Sequence, residues 1–147
     1  MDWQARYYPT DVFPGLQHRL ESLVPAGRLF AAALVREEIS AVGPPSLQDW
    51  LKANSNMIVP TPDTLAEARA IQSRFAGLLD PKAEFEEADA FVIALARLRG
   101  GVVVTQETTA AEKRNPKRTH YIPDVCRELG VGCIAFLGLI RREGWTF

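Results

Sequence analysis

Cysteine and histidine are scarce, with two of each in 147 residues. Cys126 and Cys133 alone supply neither a disulfide framework nor a zinc site, so they are expected to be reduced packing thiols. His18 and His120 share no motif with a serine or cysteine nucleophile, which leaves triad hydrolysis without support. Glycine-rich phosphate loops are missing too. Gly100-Gly101 stops a helix before a strand, the reverse of the order in a nucleotide-binding turn. No apolar run approaches the ~20 residues that a membrane span needs; the longest, near Phe91–Leu98, is broken by Arg97. The opening Met1-Asp2-Trp3-Gln4-Ala5-Arg6 has no apolar stretch of the kind a signal peptide carries. A cytoplasmic protein is therefore expected. Net charge is also small, 18 acidic against 17 basic residues. Any nucleic-acid site must then come from local clustering, not from overall charge.

What is present is enough apolar material for a core. Hydrophobic residues make up 47% of the chain, and its length suits a single domain over residues 1–147. Frequent proline and glycine point to many short elements. Helical spacing predicts helices over about Gly15–Leu23, Ala33–Ala41, Leu47–Ala53 with Ser46 as cap, and a helix capped by Thr61 or Thr64. That last helix carries Leu65, Ala68, Ile71, Phe75 and Leu78. The most apolar helix is expected over Glu86–Leu98, ended by Gly100-Gly101. A helix opened by Pro123 and ended by Gly130 follows, and a last one covers Phe136–Arg142. Strands are expected at Met57–Val59, Val102–Val104 and Val131–Ile134. The last two read as short, apolar and buried on both faces, the pattern of a parallel sheet. Helices alternating with such strands give an α/β fold.

Ligands in parallel α/β sheets bind beyond the carboxyl ends of the strands, which draws attention to Thr105-Gln106-Glu107. Glu107 follows a strand, Asp89 opens the helix leading into that strand, and Glu38 lies on an early helix. Acids far apart in sequence but gathered at one sheet edge can hold a hard divalent cation. Each also has an ordinary reading. Asp89, with Glu86 and Glu87, suits the first turn of a helix through the dipole; Glu38 could be a solvated helix residue. Between Glu107 and Ile122 lie Lys113, Arg114, Lys117, Arg118 and His120. Their positive charges would suit a phosphate backbone, or simply a solvated loop. Trp3, Tyr7 and Tyr8 could stack on bases or pack at a sheet edge.

The segments Tyr7-Tyr8-Pro9-Thr10-Asp11-Val12-Phe13-Pro14, Val35-Arg36-Glu37-Glu38-Ile39, Asp49-Trp50-Leu51-Lys52, Ala88-Asp89-Ala90-Phe91-Val92-Ile93-Ala94, Val103-Val104-Thr105-Gln106-Glu107 and Ile122-Pro123-Asp124-Val125-Cys126 occur in this order. Together they resemble a branch of PIN-like proteins, a domain of unknown function, related to VapC-type toxin ribonucleases. The resemblance covers almost the whole chain. It implies a three-layer α/β/α fold with a short central parallel sheet. It also implies acids that bind magnesium or manganese and cleave single-stranded RNA, with a cognate antitoxin as partner. Glu38, Asp89 and Glu107 would be the catalytic metal ligands. Thr105 would be a polar neighbour steadying the site. Asp124 would be either an outer acid or a helix-dipole acid. Lys113, Arg114, Lys117 and Arg118 would orient the RNA.

One feature departs from that family. Its members begin with an apolar strand ending in aspartate followed by Thr or Ser, and nothing of the kind precedes Tyr7. Asp2 falls too late to match. Loss of a central strand implies either a downstream start or a remodelled member, with a homodimer or swapped pairing along the exposed groove. A PIN-like module that binds RNA or protein without cutting is the alternative reading.

Overall fold

The computed structural model describes residues 7–9 and 11–147. Asp2, Trp3 and Thr10 lie outside the described residues. Seven α-helices and four very short strands are present among the described residues. The fold is α/β with parallel strand pairing, as the alternating pattern implies. The strands form two separate two-stranded sheets in place of the one central sheet expected. Two compact units emerge from the chain: residues up to Val59 together with Thr146–Phe147, and Pro60–Trp145. No helix among the described residues is long and apolar enough to cross a membrane.

In the first unit, helix α1 covers Leu16–Leu23. It starts one residue later than expected, because Gly15 sits in a left-handed conformation at its N-cap. Strand β1 (Ala31–Ala32) leads into α2 (Ala33–Val42). Helix α3 spans Pro45–Ala53, with Pro45 at its first position and Pro44 as the capping residue. The expected Ser46 cap is displaced because proline, with its fixed φ and no N–H, is already suited to the first helical position. Strand β2 (Ile58–Val59) pairs with β1 in parallel, Ala31 with Ile58 and Ala32 with Val59. Val24, Ile39, Leu51 and Met57 form the core beneath them, with Val35, Leu47 and Trp50 packed against it. The Trp50 indole Nε1 donates to Glu21 at 2.9 Å. Phe13 stacks edge-on with both Tyr8 and Phe147, each at 5.3 Å between centroids.

The second unit begins with α4 (Thr61–Arg74), capped by the backbone of Pro60 and not by a threonine side chain. Its inner face follows the expected stripe at Ala68 and Ile71 and departs from it only at the first position. Thr64, Ala68 and Ile71 are buried while Leu65 is exposed. Phe75 and Leu78 leave the helix and anchor the turn after it. Helix α5 (Asp89–Arg99) packs on α4 through small residues, with Ala68, Ala90 and Ala94 essentially without exposure. At Gly100 (φ +61°) the Gly101 amide reaches back to Ala96 O at 2.8 Å and Gly100 N–H to Arg97 O. This is a Schellman ending, which needs a residue free to take positive φ.

Strand β3 (Val102–Val104) follows at once, then a long loop, α6 (Ile122–Leu129), a second such ending at Gly130, strand β4 (Gly132–Ile134) and α7 (Phe136–Arg142). β3 and β4 pair in parallel, with Val103 opposite Cys133. Only Val103 is fully buried in β3, and Val104 is exposed. β4 has no fully buried residue. The expectation of strands covered on both faces is met only at Val103, since Val104 and Gly132 face solvent.

Candidate functional site

Asp89 opens α5, where a carboxylate is favoured by the unsatisfied N–H groups of the first turn. Two residues earlier, Glu87 lies on the segment leading into the helix. Glu107 stands just beyond the carboxyl end of β3, held in a tight turn in which its amide donates to Thr105 Oγ1 at 3.1 Å. Its Oε2 accepts from the Ile122 amide, 3.1 Å away, at the start of α6. Strand end, helix start and loop thus bring three carboxylates to one place.

The cation they surround belongs to the chain. Arg118 Nη1 lies 3.0 Å from Asp89 Oδ2 and 3.3 Å from Glu87 Oε1, and donates to Leu78 O at 2.8 Å. Arg118 Nη2 stands 3.6 Å from Glu107 Oε1. The guanidinium is 17% exposed and lies 4.9 Å from the Tyr121 ring centroid. A planar fork with five donors can serve several acceptors at once, which an ammonium cannot do with the same geometry. Burial works against the Arg118 charge, but Asp89, Glu87 and Glu107 together outweigh it and raise its pKa above the ordinary value. Asp89 responds in the opposite sense. Burial, then the Glu107 charge, pushes its carboxyl up to about 6, and Arg118 offsets only part of that.

The loop carrying Arg118 is tied down along its length. Asp124, 5% exposed, accepts from the Ala110 and Tyr121 amides, each at 2.9 Å. It therefore closes the N-terminus of α6 and fastens the start of the loop to it. The Tyr121 hydroxyl accepts from the Lys117 amide at 3.0 Å. Lys113 Nζ sits 4.2 Å from the same ring. Further along, His120 N–H donates to Gly77 O at 3.2 Å, and its Nε2 stands 3.3 Å from Glu128. Gly77 has no room for a side chain, because a Cβ there would lie 1.8 Å from Thr119 Oγ1. Gly77→Ala is therefore expected to cost about 1–3 kcal/mol through forced displacement of the loop. Thermal denaturation would show the loss. An unchanged melting temperature would mean that Thr119 moves aside freely.

The residues singled out in the sequence are distributed unevenly. Asp89, Glu107, Thr105 and Arg118 meet in the second unit. Glu38 lies on α2 of the first. Arg118 turns into the acids, whereas Arg114 and Lys117 are exposed. Asp124 supports the backbone at the N-terminus of α6. Glu87 was overlooked as a site residue, because its run with Glu86 already had an explanation in the helix dipole. Its signal was only its place two residues before Asp89. Among the described residues no group of three or more His, Cys, Asp or Glu side chains is arranged to hold a metal ion. The donor chemistry of Glu87, Asp89 and Glu107 is that of a hard-cation site, and as arranged the three are turned toward Arg118.

The comparisons with known proteins agree with one part of the sequence reading. The profile of a family described as a domain of unknown function, DUF4411, matches residues 1–147. The chain belongs to that family. No curated protein and no solved structure matches it.

Proposed function

We propose that this chain is a PIN-like protein of the VapC toxin kind, a metal-dependent endoribonuclease scaffold with Arg118 lodged among its acids. The observation that carries the reading is the convergence of Glu87, Asp89 and Glu107, from the helix start and strand end, on one half-buried positive charge. Carboxylates gathered at the carboxyl edge of a parallel strand pair are what acid-dependent phosphodiester hydrolysis needs. The exposed Arg114 and Lys117 lie on the same loop, where a phosphate backbone would be attracted. Single-stranded RNA and an antitoxin protein are the partners that go with this reading, magnesium or manganese the ion, and a second copy of the chain a further partner.

A specific observation favours the second reading, a PIN-like module that binds RNA or protein without cutting. Arg118 already neutralises the acids. Incubation with single-stranded RNA and Mn²⁺, beside Asp89→Asn, separates the two. The nuclease reading expects cleavage by the parent and a loss of at least about 100-fold in the variant, the usual scale for a group acting on the reacting centre. Equal cleavage by both would remove Asp89 from the site. RNA retention without cleavage by either would establish the binding module.

A further inference from the structure

A cavity of about 230 Å³ lies between α2 and α3, wholly within the first unit. Arg36 and Ser40 line it from α2, one helical turn apart. Gln48, Leu51 and Lys52 line it from α3, and Ser55 from the turn that follows. Positions 48, 51, 52 and 55 have the spacing of one helix face, so each helix contributes one side of a single lining. Leu51, 4% exposed, supplies its apolar part. The lining holds two cations and no carboxylate, in a chain whose net charge is −1. The Arg36 guanidinium has no carboxylate partner among the described residues. Lys52 Nζ stands 3.4 Å from Asp49, but these side chains are 78% and 76% exposed, and so open a pair contributes little and gives way readily. The Gln48 amide donates to Gly43 O at 2.9 Å and to Ser40 O at 3.5 Å. It thereby braces the turn between the helices and covers carbonyl oxygens that would repel an anion.

We propose that this cavity is a phosphate subsite, holding the phosphate of a monoester between Arg36 and Lys52. A monoester phosphate carries about two negative charges at neutral pH, which the two cations match, whereas an internal diester carries only one. The planar Arg36 fork suits two phosphate oxygens at once, and the Lys52 ammonium acts as a point charge. The Ser40 and Ser55 hydroxyls are donors of the kind the remaining oxygen accepts from. The cavity is smaller than the ~300–1,000 Å³ of sites that enclose a whole drug-sized ligand, so it takes the phosphate and leaves the rest of the molecule outside. A small phosphorylated molecule and the 5′-phosphorylated end of an RNA strand offer this same chemistry. The proposal is independent of the nuclease reading, since it uses none of Glu87, Asp89, Glu107 and Arg118.

The test is amide NMR of the full chain titrated with inorganic phosphate, with ionic strength held constant by sodium chloride. Saturable shifts at Ser40, Gln48 and Ser55 are the expected result. Arg36→Gln and Lys52→Gln should each weaken binding by at least about 10-fold, the scale of one hydrogen bond to a charged group. Both side chains are exposed, so neither change should disturb the fold, and the position of the shifts in the parent decides the question even where a variant is lost. A dinucleotide with and without a 5′ phosphate separates the two sources. Tighter binding of the phosphorylated form than of inorganic phosphate assigns the subsite to a strand end, and equal binding assigns it to a small phosphorylated molecule. Shifts that never saturate through the millimolar range would overturn the proposal, as would shifts confined to Arg114 and Lys117 or an affinity unchanged in both variants.

Discussion

Asp89→Asn is expected to stabilise the protein by about 1–3 kcal/mol at about pH 7.5, even though it removes a partner of Arg118. The sign follows from the carboxyl's pKa, raised from 3.8 to about 6. The folded state holds that proton more tightly than the unfolded chain does. Asp89 therefore favours folding below about pH 4, and this contribution is lost as pH rises through about 6. At neutral pH the ionised carboxylate is a net cost, because burial and the nearby Glu107 outweigh the attraction of Arg118. The side chain is 23% exposed, so solvent trims the figure below the full shift. Asparagine cannot ionise, and its carbonyl still accepts from the guanidinium. Melting temperature against pH should fall between about 4 and 6 for the parent and be flatter there for the variant. Parallel curves would show that another group titrates in that range. A buried group that costs stability at neutral pH is often kept for what it does.

Arg118→Met should have the larger effect, in the other direction. Removing one partner of a fully buried ion pair typically costs about 3–5 kcal/mol, since the charge left behind has lost its compensation; these side chains, 17–28% exposed, set the expected loss at the lower end of that range. Here three carboxylates are left within one small space, and Leu78 O loses its donor. Protonation supplies the remedy. With the guanidinium gone, Asp89 should take up a proton at still higher pH, so the loss should shrink at about pH 5. Combining Arg118→Met with Asp89→Asn should recover more than Asp89→Asn gains in the parent, by a further about 1–3 kcal/mol, the usual scale of coupling between contacting residues. Urea denaturation of the two single variants and the double variant measures this. Strict additivity would mean that Arg118 acts through Tyr121 and the loop backbone, not through Asp89.

These effects centre on a residue whose role the sequence left ambiguous. Lys113, Arg114, Lys117 and Arg118 look alike in a loop, and charge alone cannot say which of them turns inward. What separates Arg118 is tertiary: the Leu78 carbonyl from forty residues earlier and the Tyr121 hydroxyl that accepts from the Lys117 amide. Helices with local stop signals were legible. Phe136–Arg142 lies where expected, and Gly100 and Gly130 end their helices because positive φ costs glycine little. The α/β class followed from the same alternation. The start of α5 was misplaced, since Glu86 and Glu87 have helical propensity but are used in the turn, where Glu87 accepts the Asp80 amide at 2.8 Å. Only the first position of the α4 stripe differs from expectation, because Leu65 is apolar and Thr64 is not. A threonine hydroxyl returned to the helix backbone, here toward Thr61 O at 3.3 Å, buries without penalty. The parallel pairs were visible as short apolar runs. Their division into two sheets was not, because nothing in a three-residue strand states how many neighbours it has.

The directness of the helix-to-strand joints has a consequence for how this family can diversify. One residue separates Gly100 from Val102, and one separates Gly130 from Gly132. An insertion at either joint would undo a backbone hydrogen bond to the helix and shift the strand against its partner. Changes of length in the second unit are left to the stretches 79–88 and 105–121. Those stretches carry Glu87, Glu107 and Arg118. Relatives should therefore share the scaffold's measurements and differ most in the reach and charge of the two segments that meet at the acids, so that the fold conserves the frame while the contents of the site remain open to change.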